Sequence, residues 1–299
     1  MCGIVGLFLK DKTLEPELGA MLAQMLGVMN DRGPDSAGFA VYGEGKGGYI
    51  KATLRGPAGT DFEALSRKLA EVTGEFVRIV PHDTHGVIAV PAERWPGVRA
   101  SIEGLAPELA VVGEGSRMEL FKEVGLPSEV SRRFGLDKMV GTHGIGHTRM
   151  ATESAVTTDG AHPFSTGVDQ CLVHNGSLSN HNSVRRGLIR NGMTFETDND
   201  SEVAAAYLTR CMQEGDTLAR SLERSLDDLD GFYTFVVGTQ NGFGVLRDPI
   251  ACKPAVLAET DRYVAFGSEY RALVDLPGIE DARVWEPEPS QVYFWGHDA

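Results

Sequence analysis

The chain opens with Cys2-Gly-Ile-Val-Gly-Leu-Phe-Leu9, an apolar run rich in β-branched and aromatic residues. A short run of this kind, interrupted at once by Lys10-Asp11-Lys12, predicts a buried strand. Charge follows the run and does not precede it, so the segment lacks the order of a secretory signal. Next along the chain, apolar residues at helical spacing over 14–29 predict a helix that ends before Asp31-Arg32-Gly33-Pro34.

Further short apolar segments alternate with turns. Strands are predicted at Ser36–Tyr42, Gly144–Met150, Gln170–His174, Phe232–Gly238 and Phe243–Leu246. The dipeptide Asn241-Gly242 predicts a hairpin between the last two. Asn199 and Glu202 form a capping-box pattern that predicts the start of a helix. Antiparallel clusters of strands with helices between them predict an α+β fold, with sheets packed face to face and helices outside.

The sequence pattern of residues at about 50–138 differs from that of the rest of the chain. Thr60 and Glu63 form a capping-box pattern ahead of a helical apolar face, and a segment rich in proline and glycine follows. We interpret this part as a lobe inserted into one domain that spans 2–299. The sequence does not indicate its function.

The overall composition excludes several classes of function. A net charge of -14 makes nucleic acid and anionic membranes poor partners. No apolar stretch approaches the roughly 20 residues of a membrane span. The four cysteines form no CxxC pair, which favours a reducing cytoplasm over a disulfide framework.

Cys2 is the first candidate for chemistry. Removal of Met1 would leave a residue that carries both a thiol and a free α-amine. An α-amine has a pKa of about 7.7–8.0, so it can act as the general base for its own thiol. Taken alone, Cys2 is better explained as a buried strand cysteine.

Four further segments carry polar residues at turns or at the ends of elements. They are Arg32-Gly33-Pro34-Asp35-Ser36-Ala37-Gly38, Gly146-His147-Thr148-Arg149-Met150-Ala151-Thr152, His174-Asn175-Gly176-Ser177 and Asp198-Asn199-Asp200-Ser201-Glu202. Each alone is compatible with a turn, a surface arginine or a helix cap.

Together with Cys2-Gly-Ile-Val-Gly, these segments resemble the glutaminase domain of the class II amidotransferases, in the family's order. The family includes glutamine–phosphoribosyl-pyrophosphate amidotransferase, glucosamine-6-phosphate synthase, asparagine synthetase B and glutamate synthase. Arg247-Asp248-Pro249 and Gly267-Ser268-Glu269 also look like the later part of that domain. The resemblance covers most of the chain except about 50–138. It implies a four-layer αββα sandwich of antiparallel sheets, the fold of the N-terminal-nucleophile hydrolases.

The resemblance also implies roles for particular residues. Cys2 would attack the glutamine carboxamide, and Asn175 with the Gly176 N–H would form the oxyanion hole. Arg32 would order the loop beside the N-terminus. The substrate contacts would come from Arg149 for the α-carboxylate, Asp200 for the α-ammonium, and Thr152.

The chain departs from the family pattern at two positions. Met150 stands where the sugar-phosphate synthase has an aromatic residue, and Glu153 follows Thr152. Asp198 is an alternative to Asp200, and both are also compatible with helix capping. The histidine pairs 143/147 and 82/85 do not predict a metal site, since 143 and 147 fall on a strand.

The sequence contains no P-loop, no pyrophosphatase loop and no cysteine set for an iron–sulfur cluster. We therefore expect a glutaminase subunit that releases ammonia from L-glutamine to a separate synthase subunit, in a hetero-oligomer. It looks like the stand-alone glutaminase of glutamate-synthase-like enzymes, including the N-methylglutamate synthase type. No cofactor is expected on this chain, and a flavin would belong to a partner.

Two other functions remain open from the sequence. One is an N-terminal-cysteine amidase related to penicillin or bile-salt acylases, although Arg149 and Asp200 suit an amino-acid zwitterion better. The other is a non-catalytic regulatory subunit that retains the fold.

Overall fold

The structure is a computed structural model that describes residues 2–151 and 155–297. Thr152 therefore lies outside the described residues. The strands are β1 Gly3–Leu9, β2 Ser36–Tyr42, β3 Tyr49–Arg55, β4 Ile79–His82, β5 His85–Pro91, β6 Ala110–Gly115, β7 Met118–Val124, β8 His143–Arg149, β9 Phe164–Gly167, β10 Gln170–Leu178, β11 Gly231–Thr239, β12 Gly242–Arg247, β13 Val256–Glu259, β14 Tyr263–Gly267, β15 Arg283–Trp285 and β16 Val292–Gly296. The α-helices are α1 Leu18–Val28, α2 Phe62–Thr73, α3 Trp95–Leu105, α4 Pro127–Phe134, α5 His181–Arg190, α6 Asp200–Gln213 and α7 Leu218–Asp228.

Two antiparallel sheets make up the body of the protein. One has the order β15-β13-β14-β1-β8-β2-β7, and the other has the order β16-β12-β11-β10-β9. The first strand of the chain, β1, lies in the middle of the larger sheet. It pairs with β14 through Val5 and Gly267, and with β8 through Gly3 and Thr148.

The side chains of β1 alternate between two apolar cores. Ile4 and Phe8 are buried between the two sheets. Val5, Leu7 and Leu9 are buried against α1 on the opposite face. A fully buried side chain of this size contributes about 1.5–3 kcal/mol, so both cores hold the strand in place.

The second sheet is covered on its outer side by helices. Residues of β10, β11 and β12 pack there against α6 and α7 in a third core. The order from one side to the other is helix, sheet, sheet, helix. This arrangement confirms the predicted α+β sandwich of antiparallel sheets with helices outside.

A third sheet, with the order β4-β5-β3-β6, packs against α2 and α3 around its own core. It occupies 49–115 of the segment that we interpret as an inserted lobe over about 50–138. The later part of that segment joins the body, because β7 pairs with β2. The cap predicted at Thr60 is wrong. Asp61 accepts the helix N–H of Ala64 at 2.8 Å, while the Thr60 hydroxyl donates to the carbonyl oxygen of Pro57.

The hairpin around Asn241-Gly242 is confirmed by the pairing of β11 with β12. The predicted end of the strand at His174 is wrong, because β10 continues to Leu178. Asn175 and Gly176 still lie opposite Thr234 and Tyr233 of β11. Cross-strand pairing therefore keeps these polar residues inside a strand.

Asp169 connects the end of the lobe to the second sheet. Its buried carboxylate accepts hydrogen bonds from Ser116 N (2.7 Å), Ser116 Oγ (2.8 Å), Arg117 N (2.9 Å) and Met118 N (3.0 Å). A buried carboxylate is tolerated only where donors replace its water. Here the donors belong to the turn between β6 and β7 and to the first residue of β7.

Replacement of Asp169 by alanine leaves those backbone N–H groups without their acceptor. We expect the free energy of unfolding to fall by about 2–4 kcal/mol. Urea unfolding measures the change, and Asp137→Ala, at an exposed position, is the matched control. Equal stability of the two variants would show that Asp169 does not hold this junction.

Candidate active site

Cys2 lies directly before β1 and is half-buried, with its Sγ 3.9 Å from the carbonyl oxygen of Met150. The Cys2 carbonyl oxygen accepts hydrogen bonds from Arg32 Nε at 2.8 Å and from Asn175 Nδ2 at 3.1 Å. Arg32 follows α1, and Asn175 belongs to β10 of the other sheet. The backbone of Cys2 is thus held from both sides of the sandwich.

Arg32 is itself buried and forms an ion pair with Glu269. Burial raises the pKa of Glu269, but hydrogen bonds and the charges of Arg32 and Arg271 outweigh burial and leave the pKa below its ordinary value. The neighbouring Ser268 brackets Ile4 of β1. Its hydroxyl accepts the N–H of Ile4 at 2.9 Å, and its own N–H donates to the Ile4 carbonyl at 2.9 Å. The segment Gly267-Ser268-Glu269 therefore positions the start of β1.

Asp35 supports the opposite wall of the site. Its carboxylate accepts the N–H of Ala151 at 2.8 Å, and its N–H donates to the carbonyl of Arg149 at 3.1 Å. Gly33 lies so close to β8 that an added Cβ would be 2.6 Å from the backbone carbon of Thr148. The Arg-Gly-Pro-Asp turn thereby holds the end of β8, where Arg149 stands.

A cavity of about 690 Å³ opens in front of Cys2. Of the predicted site residues, Arg149, Gly176 and Asp200 line this cavity together with Cys2. Arg32 and Asn175 reach the site through the Cys2 carbonyl. Other residues that line the cavity include Asp198, Phe232 and Lys253.

Gly176 has no room for a side chain. Its φ is +152°, and an added Cβ would lie 2.0 Å from the carbonyl oxygen of Phe232 and 2.8 Å from His174 Nε2. The close approach of β11 therefore requires glycine at this position, and the Gly176 backbone itself forms part of the cavity wall.

Asp200 is the first residue of α6, and its Oδ2 accepts the N–H of Leu178 at 2.8 Å. Asn199 caps the helix by accepting the N–H of Ser201 at 2.9 Å, as predicted. The predicted reciprocal contact of Glu202 is wrong. Its carboxylate accepts the N–H groups of Glu196 and Thr197, each at 2.8 Å, and so orders the segment before the helix.

Three buried histidines cluster at the cavity, where His162 and His174 line it and His147 packs against them. His147 Nε2 is 3.0 Å from the carbonyl of His174, and the rings of His147 and His162 have centroids 3.9 Å apart. Burial lowers the pKa of all three, that of His147 to about 3. They are therefore neutral at physiological pH.

The sequence motifs did not predict several residues of the site. Lys253 and His162 stand in no motif that predicts a cavity. Glu269 belongs to a noted segment, but its partner Arg32 is 237 positions away in the sequence, so no local signal links them. Of the three buried histidines, His147 and His174 stand in segments noted in the sequence, and His162 does not.

Over 2–151 and 155–297, no three His, Cys, Asp or Glu side chains are grouped so that they could hold a metal ion. The helices described there are too short or too polar to cross a bilayer.

Comparison with known proteins agrees with this architecture. A family model described as "Glutamine amidotransferase domain" matches residues 147–275. The "Glutamine amidotransferase-like protein GlxB" of Rhizobium meliloti (strain 1021) is 63% identical over 298 residues, which is 99% of each chain. A "Putative glutamine amidotransferase" of Methanothermobacter thermautotrophicus is 32% identical and covers 98% of this chain and 99% of its own length.

Among solved structures, the glutamine phosphoribosylpyrophosphate amidotransferase from B. subtilis superposes with a TM-score of 0.64 at 20% identity. The match covers 99% of this chain but 48% of that one, so the chain spans about half the length of that enzyme. The shared fold is that of an N-terminal-nucleophile hydrolase. On the full-length similarity to its relatives, the chain belongs to the class II glutamine amidotransferases, which are enzymes.

The buried histidines make a pH dependence of stability testable. His147 has a pKa of about 3 in the folded protein and 6.5 as its ordinary value, so the unfolded chain binds more protons between these limits. Stability contributed by the neutral ring is therefore present above pH 6.5 and is lost as the pH falls. We expect His147→Gln to reduce the slope of unfolding free energy against pH by about 1 kcal/mol per pH unit between pH 6 and 5. Urea unfolding at several pH values measures this, and parallel slopes would contradict the assignment.

Proposed function

We propose that this chain is a glutaminase subunit that hydrolyses L-glutamine to glutamate and ammonia through Cys2, and delivers the ammonia to a separate synthase subunit. The observation that carries the proposal is the anchoring of Cys2. The carbonyl oxygen of Cys2 accepts hydrogen bonds from Arg32 and Asn175. Cys2 also lines the cavity, together with Arg149, Gly176 and Asp200.

The first step of the proposal is removal of Met1. The α-amine of Cys2 then takes the proton of its own Sγ, and the thiolate attacks the carboxamide carbon of glutamine. The resulting ammonium returns the proton to the leaving nitrogen as the carbon–nitrogen bond breaks. Ammonia leaves, a γ-glutamyl thioester remains on Cys2, and water then hydrolyses the thioester to glutamate.

The oxyanion formed by this attack needs donors close to Cys2. The side-chain amide of Asn175 has two N–H groups, and the Cys2 carbonyl takes one of them. The second N–H is left for the oxyanion, together with the main-chain N–H of Gly176. In this proposal a single amide both orients the nucleophile and stabilises the transition state.

Substrate recognition in the proposal follows the charges of the cavity. Arg149 binds the α-carboxylate, Asp200 binds the α-ammonium, and Thr152 adds a further contact. The carboxylate of Asp200 already accepts the N–H of Leu178 at 2.8 Å, which fixes its orientation toward the β10–α6 side of the cavity. A carboxylate has about four lone-pair sites, so it can accept from an ammonium as well.

The acceptor of ammonia is proposed to be a synthase subunit of the glutamate-synthase-like type, including N-methylglutamate synthase, in a cytoplasmic hetero-oligomer. Any flavin would be bound by that subunit. The support is the resemblance of the opening segment 2–12 and of the lobe at about 50–138 to the stand-alone glutaminase subunits of that type.

Replacement of Cys2 tests the nucleophile. Cys2→Ala removes the thiol, and we expect glutamine hydrolysis to fall to background because Cys2 is the only cysteine among the described residues that line the cavity. Cys252→Ala, at an exposed cysteine outside the lining residues, is the matched control and should retain full activity. Ammonia release, measured with and without co-purified partner chains, gives the readout. Hydrolysis by Cys2→Ala, or a preference for amides that are not amino acids, would contradict the proposal.

Replacement of Asn175 tests the oxyanion hole. Asn175→Ala removes one donor, and we expect kcat to fall by about 10²–10³-fold. The KM for glutamine should change much less, because the amide acts mainly on the transition state. Asn191→Ala, at an exposed helix end, is the control. A loss confined to KM would assign Asn175 to ground-state binding instead.

A further inference from the structure

Arg247 and Asp248, in the segment Arg247-Asp248-Pro249, take no part in the proposed mechanism, yet both are buried. The guanidinium of Arg247 donates to three carbonyl oxygens, those of Ala251 (2.6 Å), Lys253 (2.9 Å) and Pro287 (3.0 Å). Its Nη1 also lies 3.6 Å from the carboxylate of Glu286. A buried arginine that donates to several backbone oxygens in this way determines the path of a loop. The loop in question is the turn 248–253.

Asp248 closes the same turn from the other side. Its fully buried carboxylate accepts the N–H of Ile250 at 2.9 Å and that of Ala251 at 3.2 Å. Its own N–H donates to the carbonyl of Tyr233, which ties the turn to β11 at 3.0 Å. Ala251 adopts a φ of +49°, a conformation that non-glycine residues rarely adopt. Two buried charged residues thus hold the turn in a conformation it would not adopt unaided.

The turn brings Lys253 to the cavity in front of Cys2. Of residues 248–253, all of them described, Lys253 alone lines that cavity. Its Nζ lies 5.1 Å from the centroid of the Phe232 ring, which lines the same cavity. No ion pair of Lys253 occurs in the described part of the chain, so an aromatic face, and not a carboxylate, orients this ammonium.

Among the residues that the structure describes, four charged side chains line the cavity, two cations and two anions. The cations are Arg149 and Lys253, and the anions are Asp198 and Asp200. The carboxamide that reacts is neutral, so neither cation is needed where the bond breaks. The α-carboxylate is the group of glutamine that a cation recognises, and its two oxygens can accept from two donors.

We propose that Lys253, placed by Arg247 and Asp248, is a substrate-binding residue that contacts the α-carboxylate of glutamine alongside Arg149. This inference rests on the proposed glutaminase activity. It gives Arg247-Asp248-Pro249 a positioning role, because the segment supports the backbone that carries Lys253.

The test compares the rate at which Cys2 is labelled by two glutamine-analogue electrophiles. One reagent carries a free α-carboxylate, and the other is its methyl ester. For Lys253→Met we expect the labelling rate with the free acid to fall about ten-fold and the rate with the ester to match wild type. Lys253→Arg should restore most of the rate with the free acid, since it keeps the charge.

The control variant is Lys46→Met. Lys46 also stands over an aromatic ring, with its Nζ 3.7 Å from the Tyr49 centroid, but it lies outside the cavity. It should label like wild type with both reagents. Thermal unfolding of each variant separates a local effect from loss of structure.

Two results would overturn the inference. In one, Lys253→Met labels at the wild-type rate with both reagents. In the other, the labelling rate of Lys253→Met falls by the same factor with both reagents, which means that Lys253 does not recognise the carboxylate. Failure of the proposed function gives a different result, because wild-type protein would then not be labelled at Cys2 at all.

Discussion

The site depends on the two hydrogen bonds that the carbonyl oxygen of Cys2 accepts from Arg32 and Asn175. The two donors come from different layers. Arg32 follows the helix that covers the first sheet, and Asn175 lies on a strand of the second. Cys2 is therefore placed correctly only when the two sheets are packed together. The site is therefore assembled only as the protein folds. Strand β1 connects Cys2 to both cores, because its side chains are buried on both faces of the sheet.

Most charged residues of the sequence motifs hold backbone and do not face the cavity. Asp35 supports the end of β8, Glu202 orders the segment before α6, and Glu269 anchors Arg32. A buried charge is costly unless donors or an opposite charge replace its water. These residues meet that requirement with main-chain N–H groups or with one another. Among the described residues, the charged side chains that line the cavity are those of Arg149, Asp198, Asp200 and Lys253.

Local patterns predicted the parts of the fold that depend on neighbouring residues. The strand at Cys2–Leu9, the hairpin at Asn241-Gly242 and the helix that begins at Asp200 follow from apolar runs, turn residues and caps. The length of β10 did not follow, because its polar half is held by pairing with β11. The change in composition predicted the lobe, but it did not predict where the lobe joins the body. That boundary depends on the pairing of β7 with β2, which joins residues far apart in the sequence.

The residues of the site also divide into those predicted from local motifs and those placed by long-range contacts. Cys2, Arg149, Gly176 and Asp200 were predicted from motifs, and the structure brings them to one cavity. Lys253 and His162 were missed because their place depends on long-range packing, and the partner of Arg32 is 237 positions away. Motifs mark the residue types that the chemistry needs. They do not show which distant element holds each one in position.

The most direct test of the account is the mass of the protein during turnover. Enzyme mixed with glutamine and quenched in acid within one turnover can be measured intact and then digested. The account predicts a polypeptide that begins at Cys2 and carries one γ-glutamyl group on that residue. Active protein that still carries Met1, or a γ-glutamyl group on any other residue, would contradict it.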